Sequence, residues 1–515
     1  MGYKKKIIGL IVLASTFRLL LASSINLGND EVYYRIYAQE LHWNYFDHPP
    51  LVAWLIRFTT YNLVHESELF IRLGAILSAA TCSWLLFIAG KKLKDERTGF
   101  LAALIYNFSI YGCVIAGTLI LPDAPQMVCW TAALVLMINL AKDDAITKDK
   151  EYHLILFGLV TGLGMISKIH SIFLWFALLV YLLVYQRKWF SKPSLYISGT
   201  LTLIIFAPVI KWNFDHHFVT YLYHSKRVNV ANGGVNLVSF ARFTIGQFIY
   251  ISPILIFSLF KSAYDALKGR LTIAKHTLMI LLFTAFPLIT TCLFISLFKD
   301  VLPHWTGPAY TGLILITAVK LSDKRFSNRL LCTSGLFLTI LSTLAVLFIN
   351  FYSGTIGNKS LKTYGKGDLS LDMYGWDQTR ISFQSIYKSD IKNGKIDPGA
   401  YIISNKWFPA AHIDHYIAQP LSLKLIAVGE LADIHQYAWL NQSRKFPRIG
   451  ENAYCLIPSD HYFDPLKLFG SYFKKIELEC VIPIYRTGKL CRRVYVYRLV
   501  YLKTGLESLQ DFTIR

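Results

Sequence analysis

Residues 29–51 read NDEVYYRIYAQELHWNYFDHPPL, a stretch that combines neighbouring carboxylates with tyrosines, histidines and a double proline. It belongs to a loop, predicted over residues 23–68, that follows the first apolar block of the chain. The pattern predicts two short amphipathic helices, at 31–43 and 49–63, lying along a membrane interface. The two prolines suit the first turn of the second helix. The stretch is therefore a polar surface loop in which chemistry can take place.

Apolar blocks recur through the first two thirds of the chain. Of its 515 residues, 54% are hydrophobic, whereas soluble domains average about 45–50% apolar residues. Eleven blocks approach the roughly 20 residues that a helix needs to cross a bilayer. They lie at 7–22, 69–90, 98–116, 124–141, 152–167, 169–186, 193–211, 242–260, 276–298, 304–321 and 329–351. The composition predicts a polytopic α-helical membrane protein.

Basic residues concentrate in alternate loops, which predicts the orientation of the chain. Placing the N-terminus in the cytoplasm puts most of the formal net charge of +21 on that side. This side holds Lys4, Lys5, Lys6, Lys91, Lys92, Lys94, Arg97, Lys142, Lys148, Lys150, Arg187, Lys188, Lys192, Lys261, Lys268, Arg270, Lys275, Lys324, Arg325 and Arg329. The charge thus indicates a multi-pass protein of the plasma (inner) membrane and no nucleic-acid partner.

The part of the chain after the last apolar block differs in character. Residues 352–515 alternate short apolar stretches with Gly, Asp and Pro, which predicts a small α/β domain. An odd number of spans places this domain outside the cytoplasm, beyond a membrane domain of residues 1–351. Its three cysteines, Cys455, Cys480 and Cys491, leave a disulfide between two of them open.

The motifs of the membrane domain resemble the bacterial branch of the dolichyl-phosphate-mannose–protein mannosyltransferase family. This branch, glycosyltransferase family 39, includes the aminoarabinose transferase of lipid A and belongs to the type C glycosyltransferase superfamily. The resemblance covers roughly residues 1–350. It rests on Asp30-Glu31-x-Tyr33-Tyr34, Tyr45-Phe46-Asp47-His48-Pro49-Pro50-Leu51, Leu121-Pro122-Asp123-Ala124-Pro125, Gly162-x-Gly164-x-x-Ser167-Lys168, Trp212-Asn213, His224-x-Lys226-Arg227 and Leu302-Pro303-His304-Trp305-x-x-Pro308-Ala309-Tyr310.

The charge-derived topology is an independent check on these motifs. If the residues in them form one site, the threading must bring them to one face of the membrane. It places all of the following on the extracytoplasmic side: Asp30, Asp47, His48, Asp123, Lys168, His224, Arg227 and His304. The prediction is a single site on that face.

The resemblance implies transfer of a sugar from a polyprenyl-phosphate donor by direct, inverting displacement. Cations stabilise the charge that develops on the phosphate as the anomeric C–O bond breaks, and a carboxylate acts as the base for the acceptor. The candidates for that carboxylate are Asp30, with Glu31 or Asp123 as its partner. Those for the donor phosphate are His48, Lys168, Lys226, Arg227 and His304. Asp47 and His224 match positions that ligate a divalent metal in the aminoarabinose transferase.

Structural roles stay open for several of these residues. Asp123 precedes a predicted span and could cap its helix. Lys168 could extend to the lipid head groups, and His304 could belong to an interfacial aromatic belt. The histidines at 216–217 could take the position given to His224, which we favour because two basic residues follow it.

Two other functional classes remain as alternatives. A transporter or flippase of a lipid-linked sugar would bind the same carrier and membrane lipid, but transport requires no general base. A ligase or polymerase of whole glycans would keep the fold, although such enzymes usually carry their large catalytic loop late in the membrane domain. The acidic first loop therefore favours a glycosyltransferase acting on a protein, lipid A or another glycan.

Overall fold

The computed structural model describes residues 2–143, 145–230, 234–323 and 328–510, with Asn328 described by its backbone alone. Lys324 and Arg325, counted above with the cytoplasmic charges, lie outside the described residues. The chain forms two compact units. One comprises Met1–Ser23 and Leu41–Ser342, and the other comprises Ser24–Glu40 and Thr343–Arg515. The domain division at residue 351 stays a prediction.

The first unit is helical, and helices lie at all eleven predicted apolar blocks. Six of the described helices are long and apolar enough to cross a membrane, which makes the protein a multi-pass membrane protein. These are Tyr3–Ser24, Glu68–Leu93, Asp123–Leu140, Pro193–Asp215, Lys275–Ser296 and most of Asn328–Phe351. The others at the blocks are Glu96–Phe108, Lys148–Met165, Ile172–Tyr185, Leu237–Ile251, Leu255–Leu267 and Tyr310–Ser322. The count of eleven spans and the side of each terminus stay predictions.

The eighth block is not one straight helix, and the span predicted at 242–260 stays a prediction. The helices Leu237–Ile251 and Leu255–Leu267 meet at an angle of 95°. Ser252 has a φ of 146° at the break, and Pro253 cannot donate a backbone hydrogen bond there. The broken pair is therefore a bent span or a re-entrant segment.

Close helix packing in this unit depends on small residues. At Gly99, in the helix Glu96–Phe108, an added Cβ would lie 2.2 Å from the carbonyl oxygen of Phe87 on the preceding helix. Asp95 starts the helix by accepting a hydrogen bond of 2.7 Å from the backbone N–H of Thr98. The cap and the glycine together produce the tight hairpin between two membrane helices.

The second unit contains a five-stranded mixed sheet, as the alternating pattern of the tail predicts. Its strands are β1 (Tyr401–Ser404), β2 (Lys424–Ala427), β3 (Ala453–Pro458), β4 (Phe473–Arg486) and β5 (Lys489–Leu502), in the order β2-β1-β3-β5-β4. β1 is parallel to β2 and β3, whereas β5 is antiparallel to β3 and β4. Apolar side chains of β3 and β5 contribute to the core of this unit.

Helices and buried ion pairs complete the second unit. Its described α-helices, apart from the end of Asn328–Phe351, are Asn29–Tyr37, Trp376–Lys392, Trp407–Ile413, Leu431–Ile434, Tyr437–Arg444 and Pro465–Phe469. Nη2 of Arg486, on β4, lies 3.0 Å from Oδ2 of Asp368, and both side chains are fully buried. Cys455, Cys480 and Cys491 are all free, so the structure contains no disulfide between them.

The two predicted interfacial helices are present but shorter than expected. The first runs over Asn29–Tyr37, and the second over Leu51–Thr59 in the other unit. The second helix begins directly after the double proline, with Pro50 at its N-cap. The segment between the two helices is irregular, so its side chains are not held at the fixed spacing of a helix.

Candidate active site

A buried ion pair lies at the centre of the candidate site in the first unit. Nζ of Lys168 is 2.8 Å from Oδ2 of Asp123, and the two side chains are 4% and 2% exposed. The hydroxyl of Tyr111 donates a 3.0 Å hydrogen bond to Oδ1 of the same carboxylate. Lys168 therefore bonds to a protein carboxylate instead of extending to the lipid head groups. Asp123, at the first residue of its helix, bonds to side chains.

Local backbone structure fixes both members of the pair. The backbone N–H of Lys168 bonds to the carbonyl of Gly164, 2.9 Å away, just beyond the helix Lys148–Met165. Oγ of Ser167 donates to the carbonyl oxygen of Pro122 at 2.7 Å. The two motifs are thus joined by two contacts. The side chains of Lys168 and Asp123 form one, and the bond from Ser167 to Pro122 forms the other.

Tyr111 was not among the residues that the sequence analysis selected. It begins a π-helical turn, Tyr111–Ile115, that follows the helix Glu96–Phe108. Such turns are rare and often occur at functional sites. The buried Arg18 donates to the carbonyls of Gly112, at 3.1 Å, and Cys113, at 3.3 Å, which stabilises the turn. A single sequence carries no pattern that marks this irregular turn.

The irregular segment before the helix Leu51–Thr59 brings two more predicted residues to the site. Nε2 of His224 donates to the carbonyl oxygen of Asp47 at 2.6 Å, and the rings of His224 and His48 have centroids 5.8 Å apart. The backbone N–H of Leu51 donates to the carbonyl of Ile166 at 3.1 Å. This last bond ties the segment to the turn that carries the site lysine.

The helix Val219–Val228 supports the same segment from its other side. Oγ1 of Thr220 accepts from Nδ2 of Asn44 at 2.8 Å and donates to the carbonyl of Tyr45 at 2.9 Å. His224 lies one turn further along this helix. The histidine that the motif favours is therefore the one that contacts Asp47, whereas His216 stacks on Trp212 with a centroid distance of 3.8 Å.

Imidazole and ammonium groups gather around His48. Burial lowers the pKa of His48 well below its ordinary value, and the charges of His224, Lys168, His170 and His304 lower it further. Burial also lowers the pKa of His224, against the opposing effect of the Asp47 carbonyl. Both rings thus favour the neutral form near neutral pH. His170, which the sequence analysis did not select, joins this group through the turn that follows Lys168.

Of the remaining residues predicted to bind the donor phosphate, two lie further towards solvent, whereas His304 is close enough to Lys168 and Asp123 to interact with their charges. Lys226 and Arg227 are exposed in the last turn of the helix Val219–Val228. The guanidinium of Arg227 lies 5.1 Å from the ring centroid of Tyr223. The imidazole of His304 lies 6.0 Å from the ring of Tyr250, between centroids, and is partly buried. The basic character therefore extends outward along the helix that carries the site histidine.

A family comparison covers the core of this site. Residues 47–212 match the family described as Dolichyl-phosphate-mannose-protein mannosyltransferase. That range begins at Asp47 and contains both members of the buried ion pair. The family resemblance predicted from the sequence is confirmed.

Comparison with solved structures concerns the whole chain. ArnT from Cupriavidus metallidurans in the apo state aligns with a TM-score of 0.60 at 14% identity, over 99% of this chain and 100% of that one. ArnT bound to undecaprenyl phosphate aligns with a TM-score of 0.61 at 15% identity, over 96% and 98% of the two chains. The chain has the type C glycosyltransferase fold. A curated relative is the lipid A galacturonosyltransferase RgtD of Rhizobium johnstonii, 22% identical over 66% of this chain and 71% of that protein.

The two acidic residues that the sequence analysis selected in the first loop, Asp30 and Glu31, lie in the second unit. Glu31 is buried, and its Oε2 accepts a 2.8 Å hydrogen bond from the backbone N–H of Gly28, which caps the helix Asn29–Tyr37. Asp30 is exposed at the first turn of the same helix. The carboxylate of Glu31 is thus engaged by its own helix.

Proposed function

We propose that this protein is an inverting glycosyltransferase that moves a sugar from a polyprenyl-phosphate donor to an extracytoplasmic acceptor. The buried Lys168–Asp123 pair beside clustered imidazoles is the observation that carries the proposal, because it provides fixed cationic donors in a membrane-embedded fold. ArnT, which shares this fold, binds undecaprenyl phosphate, and RgtD is a galacturonosyltransferase of lipid A. Lipid A is therefore the first acceptor to test, before proteins and other glycans.

In this proposal the cationic groups act on the donor phosphate. Breaking the bond between the anomeric carbon and the phosphate oxygen leaves its electron pair on that oxygen. Fixed donors stabilise charge where it develops in the transition state. Lys168 is the first of them, with His48 and His304 as hydrogen-bond donors and the exposed Lys226 and Arg227 attracting the anionic head group. Asp123 and Tyr111 hold the ammonium group of Lys168 in place.

Asp47 and His224 are the residues that would hold a divalent metal. The fit rests on their contact: the carbonyl of Asp47 accepts from Nε2 of His224, an orienting hydrogen bond of the kind that supports metal-binding imidazoles. Nδ1 of the His224 ring and a carboxylate oxygen of Asp47 would be the ligand atoms. A divalent ion bound there would add positive charge beside the donor phosphate.

The acceptor must lose a proton as it attacks. In our proposal the carboxylate of Asp30 takes that proton from the hydroxyl or amine, while the acceptor atom bonds to the anomeric carbon and polyprenyl phosphate leaves. Asp30 is the first candidate for this base because it is exposed in the first turn of the helix Asn29–Tyr37, with Glu31 or Asp123 as its partner. Direct displacement from the opposite face inverts the anomeric configuration.

The test is transfer of radiolabelled sugar from a membrane lipid fraction, comparing wild type with Asp30→Asn at equal expression. We expect the variant to bind the lipid donor but to lose transfer by about 10²–10⁴-fold, the usual contribution of a general base. Asp149→Asn is the matched control, because this aspartate is also exposed in the first turn of a helix, with 78% of its side chain accessible.

Two outcomes would contradict the proposal in different ways. If Asp30→Asn transfers as well as wild type, the base must be sought at Asp47 or Asp123. If wild type transfers no label while its vesicles carry the lipid across the bilayer, the protein is a flippase. Transfer by wild type and by Asp149→Asn, with its loss in Asp30→Asn, supports both the enzyme class and the base.

A further inference from the structure

A cleft of about 290 Å³ lies in the second unit, and none of its lining residues belongs to the candidate active site. Its walls combine cations, aromatic rings and one carboxylate–imidazole pair. They include Lys366, Asn405, Lys406, Phe408, Asp460 and His461. The ring of His461 is held edge-on to that of Phe408, with centroids 4.6 Å apart. The imidazole is therefore oriented by packing at the wall of a solvent-filled cleft.

Asp372 joins these two side chains in a cluster of ligand-type atoms. One carboxylate oxygen from each of Asp372 and Asp460 and one ring nitrogen of His461 all lie within 4.8 Å of one another. Two carboxylate oxygens and an imidazole nitrogen form a donor set that divalent transition metals accept. The described part of the chain contains no other group of three such residues.

Hydrogen bonding at Asp460 is incomplete, and this is an independent indication of a ligand. Its side chain is 5% exposed, and Oδ1 makes no hydrogen bond in the described structure. Oδ2 lies 3.6 Å from Nη1 of Arg492, which already donates to the carbonyl of Leu371. A buried carboxylate oxygen without a donor costs stability, and a cation would remove this cost.

The second carboxylate is crowded in the same way. One carboxylate oxygen of Asp372 lies within 4.8 Å of one carboxylate oxygen of Asp460, and Asp372 accepts a hydrogen bond from Asn29. Nδ2 of Asn29 donates that bond to Oδ2 at 2.9 Å. A cation placed among the three ligand atoms would offset the repulsion between these two carboxylates.

We propose that Asp372, Asp460 and His461 bind a divalent transition-metal cation, with Zn²⁺ as the first candidate. The cation would occupy the space that the three ligand atoms enclose, with water completing its coordination from the cleft. Asn29 is the first residue of the helix Asn29–Tyr37, so its bond to Asp372 links the metal site to that helix. The proposal does not depend on glycosyl transfer or on the Asp47–His224 site.

The experiment is a titration of the full-length, chelator-treated protein in detergent with Zn²⁺ alone, followed by calorimetry and elemental analysis. The His224→Ala background removes the other candidate metal site. In that background we expect one saturable site, which Asp460→Asn and His461→Gln each weaken by at least about 10–100-fold, the range for loss of a supporting group. Asp377→Asn is the matched control in the same unit, because this aspartate is exposed and pairs only with Arg380 in the described structure.

Thermal unfolding shows whether each variant is folded. If Asp460→Asn does not fold, His461→Gln still tests the site, because His461 is an exposed residue. Hydrogen exchange of residues 24–40 tests the link to the helix, and we expect Zn²⁺ to slow it in the background but not in the two ligand variants. Absence of saturable binding in the background, or equal affinity in His461→Gln, would overturn the site. Binding without slower exchange would overturn its link to the helix.

Discussion

Replacing Lys168 by methionine removes one charge of the buried ion pair while keeping a flexible side chain of similar volume. The charged atoms lie 2.8 Å apart, and the side chains of Lys168 and Asp123 are 4% and 2% exposed. At an effective dielectric constant of about 20, the attraction at this distance is about 6 kcal/mol, and desolvation of the two ions opposes it. The substitution leaves the Asp123 charge buried, so we expect the free energy of unfolding to fall by about 3–5 kcal/mol.

Denaturant unfolding of the detergent-solubilised protein, followed by tryptophan fluorescence, measures this loss. Asp215→Asn is the matched control, because Oδ2 of Asp215 lies 2.9 Å from Nζ of Lys211 and these side chains are 46% and 77% exposed. An exposed pair of this kind contributes at most about 1 kcal/mol. The double variant Asp123→Asn/Lys168→Met removes both charges. We expect its loss of unfolding free energy to be smaller, by about 0.5–3 kcal/mol, than the sum of the losses in the two single variants.

The transfer assay separates the structural role of this pair from its proposed chemical role. The double variant should recover stability without recovering transfer, because it still lacks the ammonium group assigned to the donor phosphate. A loss below about 1 kcal/mol in Lys168→Met would show that the pair is solvated, contrary to its burial. Full transfer by a folded double variant would remove Lys168 from the proposed mechanism.

Two further predictions concern which histidine belongs to the site and how a buried carboxylate responds to pH. His224→Ala should reduce transfer by about 10–100-fold, because it removes the contact with Asp47. His216→Ala should transfer like wild type. Equal rates for the two variants in the radiolabel assay would contradict the assignment of His224 to the site. Burial raises the pKa of Asp368, but two hydroxyl hydrogen bonds and the charge of Arg486 outweigh it and hold this pKa below its ordinary value. The contribution of the Asp368 carboxylate to stability is therefore present above about pH 4 and is lost as the pH falls through its folded-state pKa. Asp368→Asn should flatten the acid side of a plot of unfolding free energy against pH. An unchanged plot would contradict this prediction.

Apolar blocks predicted the helices well but not their continuity. Length and composition locate a helix at every predicted block because burial in lipid requires internal hydrogen bonding of the whole segment. The break near Pro253 shows the limit of this reasoning. Pro208 and Pro287 lie inside helices that continue through them, so a proline in an apolar block does not by itself predict a break.

The site was predicted as a set of residues, and its internal pairing was not. The motifs identified Asp123 and Lys168, but each of them also had an independent structural explanation. Only tertiary packing brings together two residues that lie 45 positions apart. Tyr111 and His170 were missed for a related reason, since one lies in a π-helical turn and the other follows a motif residue inside an apolar region.

The helix Asn29–Tyr37, which carries the proposed base Asp30, depends on the C-terminal part of the chain, to which the sequence analysis assigned no function. Asn29–Tyr37 has nine residues, and isolated helices shorter than about 12–15 residues are marginal in water. The backbone N–H of Leu27, just before this helix, donates to the hydroxyl of Tyr416 at 2.8 Å, and Nε2 of His412 contacts the Leu27 carbonyl at 3.0 Å. Because these partners come from the C-terminal sequence, that sequence fixes the helix that presents Asp30.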